Sequence, residues 1–155
     1  MKVAQHTTYN KKNIKLNLIE VLRPTMNENQ VLIKVSAAGV NPLDNMISRG
    51  EVEMIVPYKL PQIAGNEVVG IVESVGNQVN NLQVGDRVFG RLPLDHIGAF
   101  AEYVAVDSQA LAKVPDYLSD EEAAAVPLTA LTIMQALDLM GAQAGMTIFL
   151  SLIHI

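Results

Sequence analysis

The chain has 155 residues, half of them hydrophobic and 17% charged, enough to bury one core at the usual size of a single domain. Eleven Lys and Arg against sixteen Asp and Glu leave a formal charge of −5 with no basic run, so no nucleic-acid partner is expected. There is no cysteine, which excludes disulfides and thiolate metal sites, and the start Met1-Lys2-Val3-Ala4-Gln5-His6 lacks the apolar stretch of a signal peptide. The apolar runs fall short of the roughly 20 residues that cross a bilayer; a soluble cytoplasmic protein without a membrane partner is expected.

The first hundred residues read as short strands divided by turn signals. Gln30 to Ala38 alternates and then turns small and apolar, a strand entering a core. Asp44 to Arg49, closed by Gly50, reads as a short helix with an acid near its positive end. Val68 to Gly76 is a β-branched run in which Gly70 predicts a bulge or a close backbone approach. Val84 to Gly90 is a turn followed by a strand, and Phe100 to Val106 alternates cleanly up to Asp107. Strands of this spacing hide their edges by closing on themselves, which predicts a partly open β-barrel. After Pro115 the period changes. Ser119-Asp120-Glu121-Glu122 is a capping box ahead of an Ala-rich helix, and beyond Pro127 a second helix carries Leu128, Leu131, Thr132, Gln135 and Leu139 up to Gly141. Thr147 to Leu150 reads as a strand meant for burial.

Four stretches stand in order: Ala38-Gly39-Val40-Asn41-Pro42-Leu43-Asp44, Pro61-Gln62-Ile63-Ala64-Gly65-Asn66-Glu67-Val68-Val69-Gly70, Val84-Gly85-Asp86-Arg87-Val88, and Ala124-Ala125-Val126-Pro127-Leu128-Thr129-Ala130-Leu131-Thr132. Together they resemble the medium-chain dehydrogenases/reductases of the zinc-independent, NADPH:quinone oxidoreductase type. The resemblance implies a mainly β fold with α: a GroES-like, partly open barrel domain over residues 1–126, followed by two helices and the first strand of a Rossmann-type cofactor domain whose start occupies residues 127–150. Such a strand should feed a glycine-rich loop where a pyrophosphate meets a helix N-terminus. Leu152-Ile153-His154-Ile155 stands there instead, so the pyrophosphate site is expected to be absent, the domain truncated, and residues 151–155 a non-native tail.

Zinc-dependent members of the family place a cysteine where this chain has Asn41 and a histidine where it has Asn66. Amides are poor zinc donors, and the absence of cysteine removes the family's structural zinc as well; no metal is expected. His6, His96 and His154 are isolated in sequence and read as surface or capped residues. Without zinc, the chemistry implied by the resemblance is NADPH-dependent hydride transfer to a quinone or an α,β-unsaturated carbonyl.

The resemblance places Asn41 at the nicotinamide end of the cleft as a catalytic and cofactor-binding residue beside Pro42; the plainer reading of Asn41 is a turn residue before proline. Asp44 is either catalytic or a helix cap. Thr129 is either a contact to the nicotinamide or a helix N-cap. Met46, Ile47, Tyr58 and Leu94 are candidates for the substrate pocket, with core packing the plainer reading of Met46 and Ile47. Glu67 matches a glutamate that the family keeps where zinc is gone and is expected to hold the cleft floor by hydrogen bonds. The leading reading is thus the substrate half of a quinone or enone reductase, a homo-oligomer possible for the intact protein. The alternative is a non-catalytic barrel module that binds a small apolar ligand or a protein partner.

Overall fold

A computed structural model of the chain describes residues 1–149. The elements follow as β1 (Lys2–His6), β2 (Asn17–Glu20), β3 (Gln30–Ala38), α1 (Pro42–Arg49), β4 (Gln62–Ile63), β5 (Glu67–Val75), β6 (Arg87–Arg91), β7 (Tyr103–Asp107), β8 (Ala112–Lys113), α2 (Asp120–Ala124) and α3 (Pro127–Leu139). They form two antiparallel sheets, β2-β1-β4 and β7-β3-β5-β6-β8. The sheets stay open. A bridge from Val3 to Ala101, with backbone bonds Ala4 N–H to Phe100 O and Glu102 N–H to Lys2 O, ties β1 to the segment entering β7. The mainly β architecture with three helices agrees with the fold expected, with openness rather than closure at its edges.

β5 is the central strand, and its sequence shows why. Val68 and Val72 face the main core with Val31, Ile33, Val88 and Leu92, while Val69 faces the other side, where α2 lays Ala123 and Ala124 against it. A strand covered on both faces reads as a continuous apolar run rather than an alternating one. Gly70 lies where β5 pairs with β3 at Val35: a β-carbon there would collide with the carbonyl of Lys34, and the β3–β5 register shifts on both sides of that point.

The helices start where the sequence signals place them. The capping box at Ser119 is present, with the Ser119 hydroxyl accepting from Glu122 N–H at 3.2 Å and the Glu122 carboxylate accepting from Ser119 N–H at 2.9 Å. Arg87 of β6 bonds both Asp120 and the carbonyl of Leu118, each at 2.6 Å, holding this helix on the sheet. α1 ends at Gly50, whose φ of 75° is a left-handed cap that a β-carbon would strain. α3 runs to Leu139, within a residue of the helix read from the sequence.

The strand expected at Thr147 to Leu150 is corrected. Residues 147–149 are irregular, with Ile148 51% and Phe149 90% exposed, and Leu150 and the expected tail at 151–155 lie outside the described residues. Among the described residues no neighbouring strand is available to pair with this segment, and an apolar run without a ladder partner gains nothing from an extended conformation. β1, β2, β4 and β8 are strands that the sequence reading left unassigned; each is short, and their signals are too brief to stand out.

Candidate functional site

The turn from β3 into α1 and the start of β5 meet on one side of the large sheet. Asn41 is the N-cap residue of α1, with extended backbone and Pro42 as the first helical residue, a position where a missing N–H costs nothing. The Asp44 carboxylate folds back to accept from the Asn41 backbone N–H at 2.8 Å, so the capping reading of Asp44 holds. Its other oxygen accepts from the side-chain Nδ2 of Asn66 at 2.8 Å. Asn41 in turn directs its own Nδ2 to Glu67 at 2.7 Å. Two amides and two carboxylates thus alternate through buried space: Asn41 is 8%, Asp44 6%, and Asn66 and Glu67 0% exposed. Burial raises the Asp44 pKa above the usual carboxylate value; the bonds from Asn41 and Asn66 oppose the shift.

A fifth partner comes from a distance. Glu67 also accepts from the backbone N–H of Leu128 at 2.7 Å, at the beginning of α3. Gly39 makes this possible, because a β-carbon at residue 39 would run into both the Glu67 carboxylate and the carbonyl of Ala124. The expected hydrogen-bonding function of Glu67 therefore takes a definite form: it joins the sheet, the Asn41 turn and α3.

Behind α1 lies a second polar pair. Ser48 donates to the carbonyl of Asp44 at 2.8 Å and lies 3.4 Å from His6 Nδ1, with His6 only 2% exposed and its Nε2 unpartnered. Burial lowers the His6 pKa, with the nearby Asp44 charge opposing. The reading of His6 as a surface or capped residue is corrected: residue 6 ends a strand that carries it under the helix, and a single histidine in a polar stretch gives no sign of this. Asn66 is the other residue missed as a participant; its adjacency to Glu67 and alternation along the chain were the available signal.

The remaining candidates fall elsewhere. Thr129 is exposed, and its hydroxyl turns back to the carbonyls of Ala125 and Val126 at 2.9 and 3.1 Å, so it is not the N-cap; that position is Val126. Pro42 is exposed at the start of α1. Ile47, 1% exposed, packs with Val52, Ile97, Leu43 and Tyr58 in a satellite core, which favours packing over a pocket wall. The Tyr58 hydroxyl donates to the carbonyl of Leu94, bracing that loop, and burial raises the Tyr58 pKa. Met46 is 39% exposed beside this core.

Residues 27–116 match the alcohol dehydrogenase GroES-like domain, well over half of the chain. The chain belongs to this family, on the quinone-reductase branch of the medium-chain dehydrogenases/reductases. A 2-methylene-furan-3-one reductase of Solanum lycopersicum is 36% identical over 154 residues, a match covering 96% of this chain and 39% of that protein. The quinone oxidoreductase of Coxiella burnetii superposes with a TM-score of 0.85 at 33% identity, covering 94% of this chain and 46% of the other. The Escherichia coli quinone oxidoreductase, solved with NADPH, gives 0.78 at 28% identity, covering 88% and 40%. This member of the family therefore spans less than half the length of these relatives. Among the described residues no helix is long and apolar enough to cross a membrane.

The donor chemistry of the cluster does not suit zinc. Both amides present their NH2 ends to carboxylates, so only amide oxygens, poor zinc donors, remain at these two positions. Toward NADPH the fit is partial. Asn41 keeps its second Nδ2 hydrogen beyond the bond to Glu67, its Oδ1 facing the Asp44 N–H of the capping box, but no Gly-x-Gly-x-x-Gly sequence that could cradle a pyrophosphate occurs in the chain.

Proposed function

We propose that the protein is the substrate half of an NADPH-dependent reductase that acts on quinones or α,β-unsaturated carbonyls without a catalytic zinc. The observation that carries this reading is the pairing of Asn41 with Glu67 and of Asn66 with Asp44: two neutral amides, each bonded to an acid, stand where the family resemblance implies cysteine and histidine ligands in zinc-dependent members. Lewis-acid activation is then unavailable at these positions, and the acceptor must already be electron-poor. When bound, NADPH supplies the hydride. The chain's own contribution is to orient the acceptor and to offer the free Asn41 hydrogen where negative charge grows on its oxygen. The relatives named for quinone and methylene-furanone reduction, and the E. coli structure with NADPH, support the choice of substrate class and cofactor. Residues 1–126 form the substrate-side domain in this reading, residues 127–150 open the cofactor domain, and the lack of cysteine suits a reducing compartment such as the cytoplasm.

Measurement of NADPH oxidation with a quinone tests the proposal on two proteins, the 155-residue chain and the same chain continued through a full cofactor domain. The extended form should turn over and be indifferent to a strong zinc chelator; the shorter one should be inactive. Turnover by the shorter chain, or loss of activity on chelation, would refute the reading.

One observation favours the alternative of a ligand-binding module. A groove of about 510 Å³ lies between β6, β8 and α3, walled by Phe89, Leu111, Val126, Pro127, Ala130 and Leu131. Saturable binding of a small apolar ligand there by the chain, abolished by Ala130→Trp, would support it.

A further inference from the structure

Glu67 opens β5 with no exposed surface, and its two oxygens serve different parts of the molecule. One accepts from Leu128 N–H, the other from Asn41 Nδ2, both at 2.7 Å. Leu128 is the second residue of α3, and the N-cap of that helix is Val126, which has no side-chain oxygen. The first turn of a helix carries N–H groups without intrahelical acceptors, and side chains at the cap normally supply them. In α3 the acceptor comes instead from a strand 61 residues earlier in the chain. A negative group at that end is also favoured by the helix dipole.

The same carboxylate decides the polarity of Asn41. A carboxylate facing two N–H groups only accepts, whereas an amide can present either end. Against Glu67 the Asn41 side chain must present Nδ2, which turns Oδ1 toward the Asp44 N–H of the α1 capping box and leaves the second hydrogen for a ligand. Asp44 does the same to Asn66, whose Oδ1 is left buried without a partner.

We propose that Glu67 is the positioning residue of this site: one buried carboxylate sets which end of the Asn41 amide is available and, simultaneously, where α3 begins relative to it. The inference rests on the reading of the Asn41 turn as the substrate side of a reductase. α3 leads toward the segment expected to hold the cofactor, and hydride transfer tolerates little error, since reacting atoms must approach to about 3–3.5 Å. A shared anchor holds both halves to one reference point.

The test follows two resonances by NMR in the 155-residue chain, the Leu128 backbone amide and the Asn41 side-chain NH2, in wild type, Glu67→Gln and Glu67→Ala. In wild type, both should carry a proton shifted downfield by a charge-assisted hydrogen bond. In Glu67→Gln the backbone donor cannot turn round, so the new side chain keeps its carbonyl on Leu128 and faces Asn41 with NH2; the Asn41 amide must flip, and its NH2 resonance should move while Leu128 exchange stays within about threefold of wild type. In Glu67→Ala both signatures should vanish and Leu128 exchange should quicken at least about tenfold. An unmoved Asn41 resonance in Glu67→Gln, unchanged Leu128 exchange in Glu67→Ala, or the lack of downfield protons in wild type, which is readable even if a variant does not fold, would overturn the proposal. None of these readouts requires turnover, so they fail independently of the reductase reading.

Discussion

Gly39→Ala isolates the junction between the sheet, the Asn41 turn and α3. The backbone at residue 39 needs no left-handed conformation, so the effect is steric. The new methyl meets the carbonyl of Ala124, which is backbone and yields little, and the Glu67 carboxylate, with Glu67 Cδ at 3.0 Å. Overpacking of this kind costs about 1–3 kcal/mol. Pushing Glu67 aside also breaks a hydrogen bond to a buried charged group, worth about 1.5–3 kcal/mol. Alanine restricts the unfolded chain and returns about 0.4–1 kcal/mol. The net expectation is a loss of about 2–5 kcal/mol, which at a urea slope of about 2 kcal/mol per molar lowers the midpoint by about 1–2.5 M. Urea unfolding followed by circular dichroism measures this. A midpoint within about 0.25 M of wild type would refute the picture of Gly39 as the space that Glu67 requires.

Other consequences can be checked in the same preparation. Burial lowers the His6 pKa, so between the folded value and the unfolded value near 6.5 the unfolded state binds more protons; stability should fall as pH drops below about 6.5, and His6→Gln should flatten that slope in urea midpoints taken between pH 7.5 and 5.5. A slope unaltered by the substitution would show that His6 titrates alike in both states. Ile47→Ala empties part of the satellite core beside α1 and should cost about 2–5 kcal/mol on urea unfolding; a change under about 1 kcal/mol would mean that Ile47 faces an open pocket after all. Ile148 and Phe149 belong to no strand, and their amides should exchange at rates near those of an unstructured chain. Strong protection in a monomer would contradict this.

Much of this protein was written into local sequence. The alternation from Gln30 to Ala38, the β-branched run into β5, the capping box at Ser119 and the helical spacing after Pro127 each depend on neighbours within a few residues, so strand and helix identity could be read without a fold. That Asn41 and Asn66 offer only amides, poor zinc donors, was equally legible, because donor chemistry belongs to residue type. What those amides do was not. Their orientation depends on which atoms of Asp44 and Glu67 face them, and Glu67 reaches Leu128 only because β5 passes beneath the start of α3 with Gly39 leaving room. His6 looked unremarkable until β1 carried it beneath α1. The apolar run ending at Phe149 shows the converse: a sequence fit for a strand stays irregular, because a strand is made by its ladder partner and no intrinsic preference replaces that. Local sequence thus determined the elements and the chemistry available, while the tertiary structure alone decided which acid holds which amide, since hydrogen bonds between residues far apart in the chain exist only after the chain has brought them together.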